Sequence, residues 1–141
     1  MLRIRKIKPL FTNILVTGDK YDKDEKNGAL IVAKKGDLKL YQTVLEVGSM
    51  VRDIKVGDKV MINPKNYEVK KYDPNSVKED MGMNKIIGYN MPWVTIEDEG
   101  ELKECLLLID RDIEFVFEGE EVSESNGNTL ILPKEKKIIT N

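Results

Sequence analysis

The side chains that carry most enzyme chemistry are scarce in this chain of 141 residues, which contains no histidine and a single cysteine. Without histidine, serine and cysteine nucleophiles lack their usual base, and both imidazole acid–base chemistry and histidine-containing metal sites are excluded. The single thiol, Cys105, begins an apolar run that continues to Ile109, so we expect a buried small hydrophobic residue rather than a reactive group. The sequence therefore predicts a protein that is not an enzyme and that needs no metal and no cofactor.

An apolar tripeptide, formed by Leu30, Ile31 and Val32, has an unusual setting. Residues 18–28 before it are almost entirely polar, which predicts a mobile loop, and residues 34–36 after it are two lysines and a glycine. Apolar segments of this length are usually buried in a sheet, and the residues alone favour that interpretation. The alternative is a binding segment that is carried on a flexible loop.

A second motif, Val56-Gly57-Asp58, indicates a tight turn that leads into a core strand. Gly57 is expected to supply a positive φ angle, and the side chain of Asp58 is expected to close the turn. The predicted role of both residues is structural.

The elements that must position these residues are short strands, because apolar runs of strand length alternate with turn residues and helical periodicity is nearly absent. The predicted strands cover residues 13–17, 29–33, 40–47, 59–63, 93–97, 104–108 and 113–117. The expected core residues are Ile14, Val16, Leu45, Val60, Ile62, Leu107 and Phe115. Strands at this spacing predict an all-β sandwich or barrel.

Two segments do not fit a regular series of strands. Residues 64–100 are irregular and rich in proline and glycine, which predicts an insertion that folds outside the barrel. Residues 119–141 contain the turn signal Asn126-Gly127 between apolar runs, which predicts an appended C-terminal hairpin.

The charge is unevenly distributed, although the formal net charge is only −2. Residues 97–121 hold eleven acidic residues against one lysine and one arginine, whereas the N-terminus is basic, so copies of the chain could pair through complementary charge. No basic stripe is interleaved with aromatic residues, which predicts no nucleic-acid binding. No apolar run reaches the roughly 18–20 residues of a membrane helix, and the N-terminus lacks the features of a signal peptide, which predicts no membrane association.

The order of the motifs along the chain resembles that of a known protein family. The segments, in chain order, are IKPL (7–10), NILV (13–16), NGALIV (27–32), TVLEVG (43–48), VGDKVMIN (56–63) and ECLLLIDRDI (104–113). Together they resemble the GroES co-chaperonin family over residues 7–63 and 104–118. Residues 48–55 leave little room for the family's roof hairpin, a reduction that is similar to co-chaperonins carried by large phages.

The resemblance implies an irregular GroES-like β-barrel over residues 1–118, with the insertion at about 64–100 and the extension at 119–141. It also implies a ring of about seven copies, in which the first and last strands of neighbours pair. The tripeptide of Leu30, Ile31 and Val32 occupies the place of the family's mobile-loop contact. The expected function is then a non-catalytic lid that docks on a chaperonin ring in the bacterial cytoplasm and assists protein folding.

A structural protein on the same fold is the alternative. The insertion and the C-terminal extension are additions to the family's fold that are expected to supply further binding surface, as an auxiliary or decoration protein of a phage capsid requires. Its partner would then be the major capsid protein, and its location the virion. In that case Leu30, Ile31 and Val32 are expected to form a fixed strand whose alteration damages folding.

Overall fold

A computed structural model describes residues 1–72 and 84–122, which form β-strands and two short 3-10 helices. The strands are β1 (Asn13–Thr17), β2 (Glu25–Asn27), β3 (Leu30–Ala33), β4 (Tyr41–Val47), β5 (Lys59–Ile62), β6 (Glu68–Tyr72), β7 (Asn84–Tyr89), β8 (Trp93–Asp98), β9 (Glu101–Ile109) and β10 (Ile113–Phe117). The 3-10 helices cover Pro64–Tyr67 and Asp110–Asp112. The predicted all-β class is confirmed. Within the described residues, no helix is long and apolar enough to cross a membrane.

Six strands form one antiparallel sheet in the order β10-β5-β4-β1-β9-β8. β1 lies near the middle of this sheet, where it pairs with β4 on one side and with β9 on the other. Its three central residues are all buried, because a central strand is covered on both faces. The buried apolar residues are Ile14, Leu15, Val16, Val44, Val60, Ile62, Met91, Cys105, Leu106 and Leu108.

The predicted closure of the strands into a barrel is not found, because the six-stranded sheet is open, with β10 and β8 as its edges. The outer edge of β8 is occupied in part by the N-terminal segment, since the backbone N–H of Glu97 donates a hydrogen bond to the carbonyl oxygen of Ile4 (2.7 Å). The remaining strands form two separate two-stranded sheets, β2–β3 and β6–β7.

The predicted core is correct for four of its seven residues, since Ile14, Val16, Val60 and Ile62 are buried. Leu45 and Leu107 are only half-buried. The buried residues next to them in β4 and β9 are Val44, Leu106 and Leu108. A shift of one residue along a strand moves every side chain to the opposite face. Phe115 is exposed, because β10 is an edge strand with an irregularity between Ile113 and Phe115.

The described chain divides into two compact units. The first comprises Met1–Gly18 and Leu40–Phe117 and contains the six-stranded sheet and the β6–β7 hairpin. The second comprises Asp19–Lys39 together with the residues that follow Phe117, and it contains the β2–β3 hairpin. Within the predicted insertion, β8 belongs to the main sheet, where it pairs with β9. The predicted C-terminal hairpin lies outside the described residues beyond residue 122, as do residues 73–83 of the insertion.

Candidate functional site

The β2–β3 hairpin carries the apolar tripeptide that the sequence singled out. Lys26 lies directly opposite Ile31, and Asn27 lies opposite Leu30. Gly28 has a φ angle of 67° in the connecting turn, a conformation that glycine adopts without steric cost. β2 is a strand that the sequence did not predict, because its residues are polar and its contribution to the hairpin is made by backbone hydrogen bonds.

The base of this hairpin is held by a series of backbone hydrogen bonds. The N–H of Tyr21 donates to the carbonyl oxygen of Asp37 (2.9 Å), and the N–H of Gly36 donates to the carbonyl oxygen of Tyr21 (2.8 Å). Closer to the strands, the N–H of Lys35 donates to the carboxylate of Asp24 (2.9 Å). The polar segment before the tripeptide therefore has a defined path, although its side chains bury little apolar surface.

An ion pair joins Lys39, which follows the β2–β3 hairpin, to Glu121, which lies in the segment after Phe117 of the same compact unit. Lys39 Nζ lies 2.8 Å from Glu121 Oε2, and the same ammonium lies 5.4 Å from the centre of the Tyr21 ring. The hydrogen bond to Glu121 raises the pKa of Lys39 above its usual value, so the lysine stays charged at neutral pH. Because the Glu121 side chain is about half exposed, solvent screens the pair and its contribution to stability is small.

The three apolar side chains of the tripeptide are exposed. Leu30 exposes 66%, Ile31 45% and Val32 61% of its surface. The expectation of a buried strand, drawn from the residues alone, is wrong in its burial although β3 is a strand. The physical reason is that β3 pairs with β2 in a two-stranded sheet, which leaves both faces open. An exposed apolar surface on a short hairpin can bind an apolar groove of another protein.

The turn at Gly57 and Asp58 has the geometry that the sequence predicts. Gly57 has a φ angle of 95°, and the Asp58 carboxylate accepts a hydrogen bond from the N–H of Lys55 (2.8 Å). The turn is also joined to β4, because the N–H of Gly57 donates to the carbonyl oxygen of Val44 and the N–H of Val44 donates to that of Asp58 (both 2.8 Å). Both residues therefore position β5 beside β4 and lie apart from the tripeptide in the sequence.

A buried carboxylate that the sequence did not single out anchors the start of the insertion. Asp112 is only 1% exposed, and its carboxylate accepts hydrogen bonds from the hydroxyl of Tyr67 (2.5 Å), the amide of Asn66 (3.2 Å) and the N–H of Ile109 (3.1 Å). Burial, together with this hydrogen bond, raises the pKa of the Tyr67 hydroxyl well above its usual range. The network joins the two 3-10 helices and fixes the base of the β6–β7 hairpin, since Tyr67 directly precedes β6.

Cys105 is buried in β9, as expected for a small hydrophobic residue. In residues 1–72 and 84–122, no three histidine, cysteine or acidic side chains are grouped so that they could hold a metal ion. No protein-family model matches the chain, and no curated protein matches it either.

Proposed function

We propose that this chain is a non-catalytic co-chaperonin-like protein, which docks on a chaperonin ring through Leu30, Ile31 and Val32 and assists protein folding. The observation that supports this proposal is the exposure of all three side chains on a short hairpin. The resemblance to the GroES co-chaperonin family places a ring-binding tripeptide at the same point in the chain. The chaperonin ring, rather than this chain, then hydrolyses ATP.

The energetics of docking follow from the exposed fractions. Together the three side chains expose somewhat less than two full side chains, so burying them contributes about 2.5–5 kcal/mol of transfer free energy. Part of this gain is lost because a two-stranded hairpin of three and four residues is only marginally stable alone and has to be held in one conformation on docking. A single hairpin therefore binds weakly, and several hairpins joined in one oligomer bind tightly through their high effective concentration.

Self-association belongs to this proposal, because a lid needs several copies. The resemblance implies a ring in which the first and last strands of neighbours pair. β1 already pairs with β4 and β9 in its own chain, whereas β10 is an edge strand of the main sheet with Phe115 and Val116 exposed. An edge strand presents unpaired backbone groups that a strand of another copy can join. The expected assembly is a ring of about seven copies.

The alternative, an auxiliary protein of a phage capsid, makes a different demand on the tripeptide. It requires a fixed strand whose alteration damages folding. The tripeptide does lie in a strand, β3, but its side chains are exposed on a separate hairpin, where substitution is tolerated. The exposure of Leu30, Ile31 and Val32 therefore favours the docking function.

The test is the substitution Ile31→Asp, with Ile86→Asp as a matched control. Both isoleucines lie on two-stranded hairpins directly opposite a lysine, and their exposed fractions are 45% and 46%. In each variant the new carboxylate faces a lysine across the hairpin, so both proteins are expected to fold. In a pull-down with a chaperonin ring and ATP, Ile31→Asp is expected to abolish binding and Ile86→Asp to leave it unchanged. Equal binding by both variants would overturn the assignment of the tripeptide.

A further inference from the structure

The β6–β7 hairpin carries an electrostatic feature that its own sheet leaves uncompensated. Lys71 lies directly opposite Lys85, and like charges at such a position destabilise a strand pair. Both lysines are exposed, and in the part of the chain that the structure describes neither forms an ion pair with a carboxylate. The exposed side chains of Val69 and Ile87 lie beside them along the two strands. We call these four residues the basic patch.

The β8–β9 hairpin ends in a surface of the opposite charge. Its strands are joined by Glu99 and Gly100, whose φ angles of 53° and 85° make a tight turn. Glu101 lies directly opposite Asp98, so two acids also face each other here; Lys103 forms an ion pair with Asp98 (2.8 Å) and also interacts electrostatically with Glu101. Next to them Leu102 exposes 73% of its surface. We call Glu99, Glu101 and Leu102 the acidic tip.

We propose that the basic patch of one copy binds the acidic tip of a second copy of this chain. Each surface combines two exposed charges of one sign with exposed aliphatic side chains, so the two are complementary in charge and in polarity. In the basic patch two lysines face each other, and an opposite charge from a partner removes that repulsion. The two patches are different surfaces, so the contact runs head to tail, and each copy joins one neighbour on each side.

The structure favours this contact because the basic patch has a fixed base. The Tyr67 hydroxyl donates a hydrogen bond to the buried Asp112. The N–H of Asn90 donates to the carbonyl oxygen of Tyr67 (2.7 Å), which joins the two ends of the hairpin. A fixed base lowers the entropy that is lost when the patch binds. The inference does not depend on chaperonin binding, and the contact is separate from pairing at the edge of β10.

The test reverses each patch separately and then mixes the two variants. Lys71→Glu/Lys85→Glu and Glu99→Lys/Glu101→Lys are each expected to weaken self-association at least about tenfold in sedimentation equilibrium, because like charges then meet at the contact. An equimolar mixture is expected to recover association with the two variants alternating, because the acidic hairpin of one variant meets the basic tip of the other; a closed ring then contains an even number of copies. Wild-type association is also expected to weaken as salt is raised.

The matched control is Lys34→Glu/Lys35→Glu, which reverses two exposed lysines at the end of β3. It is expected to leave self-association unchanged, and circular dichroism should show the wild-type fold for all three double variants. Three results would each overturn the inference: a wild type that stays monomeric, an oligomer that persists unchanged in both patch variants, or a mixture that fails to recover association. A monomeric wild type would overturn this contact together with the ring that the proposed function expects, whereas an oligomer that binds a chaperonin ring but persists unchanged in both patch variants would overturn this contact alone.

Discussion

Removal of the Asp112 side chain tests whether the network at the start of the insertion holds the fold. In Asp112→Ala, the hydroxyl of Tyr67, the amide of Asn66 and the N–H of Ile109 all lose the acceptor to which they are bonded. A buried polar group left without a partner costs about 1–3 kcal/mol, and Asp112 is 1% exposed, so water replaces the carboxylate poorly. Asn66 is exposed and can bond to water instead, so the cost falls on the other two groups, and we expect the free energy of unfolding to fall by about 2–6 kcal/mol, a large fraction of the usual 5–15 kcal/mol.

The assay is urea unfolding followed by the fluorescence of Trp93, the only tryptophan, which lies in β8 of the same unit. The matched control is Glu114→Ala, which removes an exposed carboxylate two residues away and is expected to change stability by less than about 0.5 kcal/mol. A loss below about 1 kcal/mol in Asp112→Ala, or a loss equal to that of the control, would refute the anchoring role.

Four further outcomes are expected from single sites. Because burial and the hydrogen bond to Asp112 raise the pKa of Tyr67 above 10.0, the folded chain keeps a proton that the unfolded chain releases, so stability should fall as pH rises above 10 and Tyr67→Phe should reduce that slope in pH-dependent urea unfolding. Leu108→Ala, at a fully buried site of β9, should cost about 2–5 kcal/mol by urea unfolding, and a loss below 1 kcal/mol would contradict its place in the core. Gly57→Ala should cost about 1–2 kcal/mol by thermal unfolding, because its φ angle of 95° is unfavourable for alanine. The buried thiol of Cys105 should react with a thiol reagent only after urea is added, and rapid reaction of the folded protein would contradict its burial.

The apolar strands were predictable because a central strand needs apolar residues on both faces. β1 and β10 begin and end where the sequence predicts, and the remaining predicted strands differ by a few residues at their ends. The face that β9 turns inward was not predictable, because residues 105–109 are all apolar and such a run has no alternation. Which side chains of β9 face the core depends on its pairing with β1, which places Ile14 opposite Leu108, and these two residues are far apart in the sequence.

The strands β2, β6 and β7 could not be predicted for the opposite reason. Their hairpins form two-stranded sheets of their own, so backbone hydrogen bonds rather than apolar alternation define them. The same separation explains why the residues Leu30–Ala33 were correctly expected to be a strand but wrongly expected to be buried. Sequence patterns show how apolar residues alternate along a strand. Whether the strand is buried depends on what other parts of the chain pack against it.

The anchoring network was missed because its partners are far apart along the chain. Asp112 and Tyr67 are separated by 45 residues, and each lies in a 3-10 helix too short to leave a periodic signal. The turn at Gly57 and Asp58 was predictable because all its decisive contacts, a positive φ angle and a hydrogen bond three residues away, are local. Local chemistry can be inferred from the sequence, whereas buried polar networks require the fold.

Binding of the wild-type chain to a purified bacterial chaperonin ring tests the proposed function most directly. The measurement is co-sedimentation of the intact chain with the ring, with and without ATP, at a salt concentration held constant. The exposed tripeptide of Leu30, Ile31 and Val32 predicts that the chain sediments with the ring when ATP is present. Absence of ATP-dependent co-sedimentation by the wild-type chain would contradict the co-chaperonin function, whatever the fold and the self-association of the chain.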